Sequence, residues 1–445
     1  MENLKDLLDE KNISFSKEIY NELKNDEATI KLTKNLLKDI KKDFKHKDLN
    51  SIHKDRRTAL ELIYIMLSNF TFTWVREAKY NDNYVYNRYM QLNSRILKKQ
   101  VGTGNKETRY KCILKLLIDK KYIEKGLGPK RGVKSTSYKI NDKYYNVNIE
   151  KHILNSEYAK KRHEINIREK LISSIDNTIA LNELQNLNRI ELPSLEEVRK
   201  HLKLYSKRKW KNKKGKQLKV LGKKKRENQF IYVEDYVKLY ELLKNNFNSP
   251  QILGQNGGHR VVSKFNMMPS LVRELFRVKT NSNRLVGLDF SCFHPSLAIR
   301  KFQGANNQIV THEEVAEFLK TKKKYSKNTD IELRQIAKKE HLSFFNKEVK
   351  HMRNSRIYSF YAEKHPDLLS KVEKDKIEKG YKNTSRMLFT AETKIMTKII
   401  KNCQARGITT IYVYDELLVD ELRVEEVRQI MENVCNEQKL NVEIK

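Results

Sequence analysis

Cysteine is scarce in this chain of 445 residues: Cys112, Cys292, Cys403 and Cys435 lie far apart and form no CxxC pair. That pattern argues against a zinc finger and against a disulfide framework, and it fits a reducing cytosol. Apolar runs are short as well. None approaches the length of a bilayer span, and the charged start Met1-Glu2-Asn3-Leu4-Lys5-Asp6 does not read as a signal peptide. A soluble, cytoplasmic protein with no membrane partner is expected. The third shortage is of acid. Lys and Arg number 91 against 56 Asp and Glu, a formal charge of +35. Such an excess is too large for an ordinary metabolic enzyme and points to nucleic acid, because Lys and Arg bound to phosphates release condensed counterions. The length allows a sizeable core and two or three domains.

Four stretches differ in composition. Residues 1–50 alternate charge with Leu32, Leu36, Leu37 and Ile40 at helical spacing and read as a helical lead-in. Residues 51–148 begin with an apolar helix from Ala59 to Phe70, followed by a helical pattern over 87–99. A third helix follows the turn at Thr103-Gly104-Asn105, with Ile113, Leu114 and Leu117 on one face and Lys106, Arg109 and Lys115 elsewhere. Two strands then flank the basic, glycine-rich segment 126–134, which carries Lys130 and Arg131. This order resembles a winged helix-turn-helix, a family whose third helix enters the major groove while the wing touches phosphate. A plain helical subdomain with a solvated basic loop is the alternative.

Residues 149–250 look mainly helical and form a basic, linker-like or thumb-like region. Their run from Lys207 to Arg226 holds Trp210. It reads either as a solvated loop or as a nucleic-acid clamp with Trp210 available for base stacking. After Asn256-Gly257-Gly258 the apolar runs lengthen, so residues 251–445 form the last domain.

The chemistry concentrates there. Val286-Gly287-Leu288 reads as a short buried strand that ends on Asp289, and a carboxylate there is costly unless something positive binds it. Ile411-Tyr412-Val413-Tyr414 repeats the device, delivering Asp415 and Glu416 before Leu417-Leu418-Val419 returns. If the two strands are neighbours, Asp289 and Asp415 face one another. At about 4 Å they would repel by roughly 4 kcal/mol at an effective dielectric near 20, so divalent metal is needed between them. Arg334 and Lys338 lie four apart on one face of a helix, and a long helix from Ser385 to Lys401 ends at Gly407.

Together with the lead-in Gly258-His259-Arg260…Ser263…Asn266…Pro269…Arg273…Phe276, this order resembles the palm and fingers of family A (polymerase I type) nucleic acid polymerases over residues 256–445. The resemblance implies an α+β fold: a right-hand palm with reduced helical fingers, preceded by the helical region and the winged helix. It implies a template-directed nucleotidyltransferase, a DNA polymerase serving plasmid, phage or mobile-element replication. Its partners would be a primed DNA template, an origin among them, and nucleoside triphosphates. Two Mg²⁺ ions, for which Mn²⁺ can substitute, would be bridged by Asp289 and Asp415, with Glu416 ranking lower and the Phe290 carbonyl as a further ligand. Arg334 and Lys338 would hold the triphosphate, Lys338 would give the leaving group a proton, and His294 would sit by the sugar. Arg260 and Arg273 would contact template or primer phosphate or brace the palm.

Some residues depart from the family pattern. Tyr414 stands for the usual His, His294 for a Glu that helps exclude the ribose 2′-hydroxyl, Asn346 for a Tyr and Lys347 for a Gly. DNA versus RNA synthesis is therefore open, and no acidic cluster for a proofreading exonuclease is evident. Bland readings stand beside each role. Asp289 would cap the next helix, Asp415-Glu416 would be a polar turn, Arg334 and Lys338 surface charges, and His294 a core histidine. Two alternatives remain for the whole chain: a non-catalytic DNA-binding replication initiator or regulator with a degenerate palm, and a single-subunit RNA polymerase or primase.

Overall fold

The computed structural model describes residues 28–80, 89–103, 108–126, 135–144, 149–212, 215–222, 229–246, 249–254, 257–303 and 310–445, with a few isolated positions besides. The chain is mixed α/β, mostly helical with small sheets. It divides into two compact units. One comprises Met1–Ser173 with Leu221–Ser249, the other Ser174–Val220 with Pro250–Lys445. Among the described residues no helix is long and apolar enough to cross a membrane.

In the first unit, β1 (Thr29–Thr33) pairs antiparallel with a later strand, Ile149–Ile153. The segment was expected to be helical throughout. Its Thr29, Ile30 and Thr33 are β-branched, Ile30 and Leu32 alternate inward, and a partner more than a hundred residues away supplies the ladder, which overrides the helical spacing. Helix α1 (Lys34–Asp43) follows and buries Leu36 and Ile40. Helix α2 (Arg56–Tyr80) supplies Leu62, Ile63, Met66 and Leu67 to the same core. Next come β2 (Met90–Gln91), α3 (Ser94–Val101), α4 (Arg109–Asp119), β3 (Ile123–Lys125) and β4 (Ser137–Ile140), in a sheet of order β2-β4-β3. The pattern over 87–99 is thus split. Asn93 accepts a hydrogen bond from the Arg95 amide, which starts α3 there and leaves β2 before it.

In the second unit one three-stranded antiparallel sheet is central. Its strands are β5 (Leu285–Asp289), β6 (Thr410–Val413) and β7 (Glu416–Asp420), in the order β5-β7-β6. Leu288, Tyr412, Leu417 and Val419 line one face. They pack with Leu388, Ile395, Met396 and Ile399 of α9 (Lys382–Ala405) and with Val427, Ile430 and Met431 of α10 (Val424–Glu437). Burying each such side chain is worth roughly 1.5–3 kcal/mol, so this layer holds the sheet rigid. Between β5 and α9 lie α5 (Phe293–Gln303), α6 (His312–Lys320), α7 (Asp330–Phe344) and α8 (Tyr358–Lys364).

The long helix α9 ends by a Schellman motif. Gly407, at φ +65°, lets the Ile408 amide reach the Cys403 carbonyl while its own amide bonds the Gln404 carbonyl. That reversal feeds β6 directly.

Candidate active site

The register of β5 against β7 sets Leu288 opposite Leu417, Gly287 opposite Leu418, and Asp289 opposite Glu416. Paired residues share a face, so Asp289 and Glu416 project together from the side away from Leu288 and Leu417. Like charges directly opposite one another weaken a ladder, and here the strand pair is retained with two carboxylates at its end. Gly287 has a steric reason to be glycine, because an added Cβ would collide with Oε1 of Glu416. The Glu416 carboxylate therefore lies over the strand that carries Asp289, and Arg273 reaches it at 3.4 Å.

Asp415 occupies the two-residue turn between β6 and β7. Tyr414, the first turn residue, has φ +66°. Tight hairpins normally place glycine or asparagine at such positions, and holding a tyrosine there costs on the order of 1–3 kcal/mol. The Phe290 amide donates to the Asp415 carbonyl at 3.3 Å, so the chain just past Asp289 is tied to this turn. On the other side, the Asp289 and Lys445 backbones exchange two hydrogen bonds of 2.9 Å, and Ser291 donates to the Glu443 carbonyl. Both carboxylate-bearing segments are fixed by backbone pairing.

Beneath the turn is an ion network that the sequence did not announce. Glu392 of α9 is fully buried, pairs with Arg260 through both carboxylate oxygens, and accepts from His294 at 2.9 Å. Burial alone would push its carboxyl up, but the His294 hydrogen bond and the Arg260 charge outweigh that and hold it low. Arg260 also lies over the Phe389 ring at 3.9 Å and the Tyr414 ring at 5.3 Å. Asp415 behaves oppositely. Burial and then the Glu392 charge push its carboxyl up, only partly opposed by His294 and Arg260. An acid at 392 falls on the stripe Leu388, Ile395, Ile399 at helical spacing, and that misplaced charge was the available signal.

The lead-in motif proves to be a local cap. Ser263 accepts from the Asn266 amide and donates to the buried Glu183, while Asn266 accepts from the Ser263 amide and donates to the Val261 carbonyl. The capped turn directs the short helix Ser270–Arg273 so that Arg273 arrives at Glu416. Arg260 and Arg273 are thus both engaged with acids within the unit. His294 is held by the buried Glu392 at 2.9 Å, a partner that also suits the reading of a satisfied core histidine.

On α7, Arg334 pairs with Glu313 at 2.6 Å, whereas Lys338 is exposed and has no ion pair among the described residues. Asn346 and Lys347 follow the end of that helix, and Lys347 pairs with Glu340. In the first unit Arg109 turns inward, donating to the Ile52 and Val101 carbonyls and to the Tyr158 hydroxyl. The outward cations of α4 are Lys111 and Lys115. Lys106, Lys130 and Arg131 lie outside the described residues. Trp210 is half-buried, its amide bonded to the Tyr205 carbonyl and its carbonyl to the Leu218 amide.

Carboxylate oxygens of Asp289, Asp415 and Glu416 are hard donors that fit a divalent cation such as Mg²⁺, and the stacking of like charge around one turn is what such a cation would relieve. The three do not converge as a closed trio. Among the described residues, the one set of three ligand atoms within 4.8 Å of one another is Cys292, His312 and His341.

No family model matches the sequence, and no curated protein matches it. Among solved structures, the chain is similar to the polymerase domain of Pol1 from M. smegmatis, determined in complex with a DNA primer-template and dNTP. The sequence identity is 11%, the match covers 64% of this chain and 72% of that chain, and the TM-score is 0.39.

Proposed function

We propose that this chain is a template-directed nucleotidyltransferase, a DNA polymerase, whose reaction centre is the end of the β5-β7-β6 sheet. The observation that carries the reading is that three carboxylates are borne by neighbouring positions at that end of the sheet. Asp289 stands opposite Glu416 in the ladder, and Asp415 sits in a strained turn tied to Phe290. Opposed carboxylates at the end of a ladder weaken it unless a cation is held there, and their hard oxygens suit a divalent one.

Asp289 and Asp415 would hold the cations, with Glu416 beside them. When bound, paired Mg²⁺ ions would activate a primer 3′-hydroxyl and neutralise the leaving pyrophosphate. The chain's own groups do the rest. Lys338, exposed on α7, would meet a triphosphate, and Arg334 would join it by exchanging Glu313 for phosphate. Arg273 steadies Glu416, and the Arg260–Glu392–His294 network holds the turn that carries Asp415. A cleft of about 630 Å³ beside α9 is lined by Arg300, Lys301, Arg386, Lys394 and Lys398, charge suited to a nucleic-acid backbone.

The helix–strand–helix–helix–strand–strand order of the first unit, with its β2-β4-β3 sheet, supports reading residues 51–148 as a winged-helix DNA-binding module. Lys111 and Lys115 are then the cations of the helix that approaches the duplex. Such a pairing of modules suits a replication protein of a mobile element, one module finding an origin and the other extending a primer.

Primer extension tests the proposal. Mg²⁺-dependent incorporation is expected from the intact chain and should vanish in Asp289→Ala and Asp415→Ala; robust extension by both variants would sink it. The open arrangement of the three carboxylates favours one second reading, a non-catalytic DNA-binding initiator. That protein would bind DNA in a salt-sensitive way and incorporate neither dNTP nor rNTP.

A further inference from the structure

We infer that Cys292, His312 and His341 form a zinc-binding site that pins the Asp289 loop to α6 and to α7, the helix carrying Arg334 and Lys338. Cys292 Sγ lies 3.2 Å from His312 Nδ1 and 3.9 Å from His341 Nδ1, and the two Nδ1 atoms are 3.0 Å apart. Zinc bound tetrahedrally, with Zn–S near 2.3 Å and Zn–N near 2.0–2.1 Å, sets edges of about 3.5–3.6 Å from sulfur to nitrogen and about 3.3–3.4 Å between nitrogens. The two observed sulfur–nitrogen edges bracket that value, and the nitrogen edge is slightly shorter.

The surroundings select a cation over a hydrogen-bonded cluster. Cys292 and His341 are buried, and His312 is 9% exposed. His341 Nε2 lies 3.0 Å from the Tyr361 hydroxyl, which can hold the Nε2–H tautomer and turn the Nδ1 lone pair inward. Tyr361 is itself fixed by stacking on Phe344, with ring centroids 4.7 Å apart. Two imidazole Nδ1 atoms at hydrogen-bond distance share at most one proton, which leaves the sulfur edge poorly served. The sulfur and the two ring nitrogens are crowded around one point in a buried setting. Cys292 also has φ +52°, a strained conformation for a side-chain residue, and it aims the sulfur at the two rings.

A thiolate with two imidazoles is a borderline-soft set that prefers zinc to Mg²⁺, so this site is chemically distinct from the carboxylates of Asp289 and Asp415. No fourth protein ligand completes it among the described residues, so a bound zinc would have one position open to water. The ligands come from the loop after β5, the first residue of α6 and the last turn of α7. The inference stands whether or not nucleotides are joined at Asp289.

The test is metal analysis of the untagged, full-length chain, with zinc and with Co²⁺ as its spectroscopic substitute. About one equivalent of zinc per chain is expected to survive dialysis, and the Co²⁺ form should show a thiolate-to-metal charge-transfer band. Cys292→Ser should abolish the band and His341→Ala the stoichiometric zinc, while Cys403→Ser, altering a buried thiol elsewhere, keeps both. Tyr361→Phe should weaken zinc binding about 10–100-fold without abolishing it. Titration of zinc into the wild-type apoprotein needs no variant to fold. Failure of the wild-type chain to take up zinc, or persistence of the charge-transfer band in Cys292→Ser, would overturn the inference.

Discussion

Removing Arg260 isolates the network beneath the Asp415 turn. In Arg260→Met the fully buried Glu392 keeps only His294, and breaking a buried pair from one side costs roughly 3–5 kcal/mol. His294 remains at 2.9 Å, so the lower end of that range is expected near pH 7. The loss should depend on pH. In the native chain the Glu392 carboxyl is held below its ordinary value, so its stabilisation is present above that value and fades as pH falls through the folded one. In the variant the Arg260 contribution is lost and the carboxyl rises from its native position, so less of that stabilisation is present above it. The gap between the two proteins therefore widens from pH 4 to pH 7.

Urea unfolding read by Trp210 fluorescence, in a Trp74→Phe background, reports on the unit that holds the pair. Arg260→Met/Glu392→Leu should regain most of the loss, because an apolar pair replaces a buried ion pair at little cost. A loss below about 1 kcal/mol, or one that does not change with pH, would refute the account of this network.

Two further substitutions separate structure from chemistry. Gly287→Ala should leave stability within about 1 kcal/mol, since the group in its way is the movable end of Glu416. It should nonetheless lower nucleotide incorporation at least about tenfold, equivalent to roughly 1.4 kcal/mol; unchanged incorporation would remove Glu416 from the site. Glu183 is buried, and burial raises its carboxyl from 4.5 to about 8 against hydrogen bonds from Ser263 and Tyr412. The folded state then holds a proton that the unfolded state releases, so stability is greatest below pH 4.5 and declines through the window up to pH 8, by at most about 1.4 kcal/mol per unit. Glu183→Gln should flatten that decline, and thermal melts at pH 5, 6, 7 and 8 would show it.

The elements that carry the candidate site were legible because each is local. Val286 to Leu288 is a short apolar run ending on an acid, and residues 411–419 are two apolar runs on either side of a polar pair. The stripe of α9 and the stop at Gly407 follow from helical spacing and from one left-handed residue. Elements made by distant partners were not legible. Thr29–Thr33 is a strand only because Ile149–Ile153 lies beside it. Arg260, His294 and Glu392 meet across 132 residues of chain. Cys292, His312 and His341 share no spacing that marks a ligand set, so scattered cysteines hid a cluster that the fold assembles. Arg109 looked like a DNA contact because charge in a basic chain gives no direction, and its inward turn depends on three acceptors from other segments.

The carboxylates around Asp289 are proposed to serve templated nucleotide addition. The most direct measurement is incorporation of a single nucleotide by the full-length chain on an end-labelled primer, with Mg²⁺, on four templates that differ only in the next base. One added nucleotide is expected, complementary to the template base in every case and absent when Mg²⁺ is chelated. Addition that ignores the template base, or no addition from any dNTP or rNTP, would contradict it.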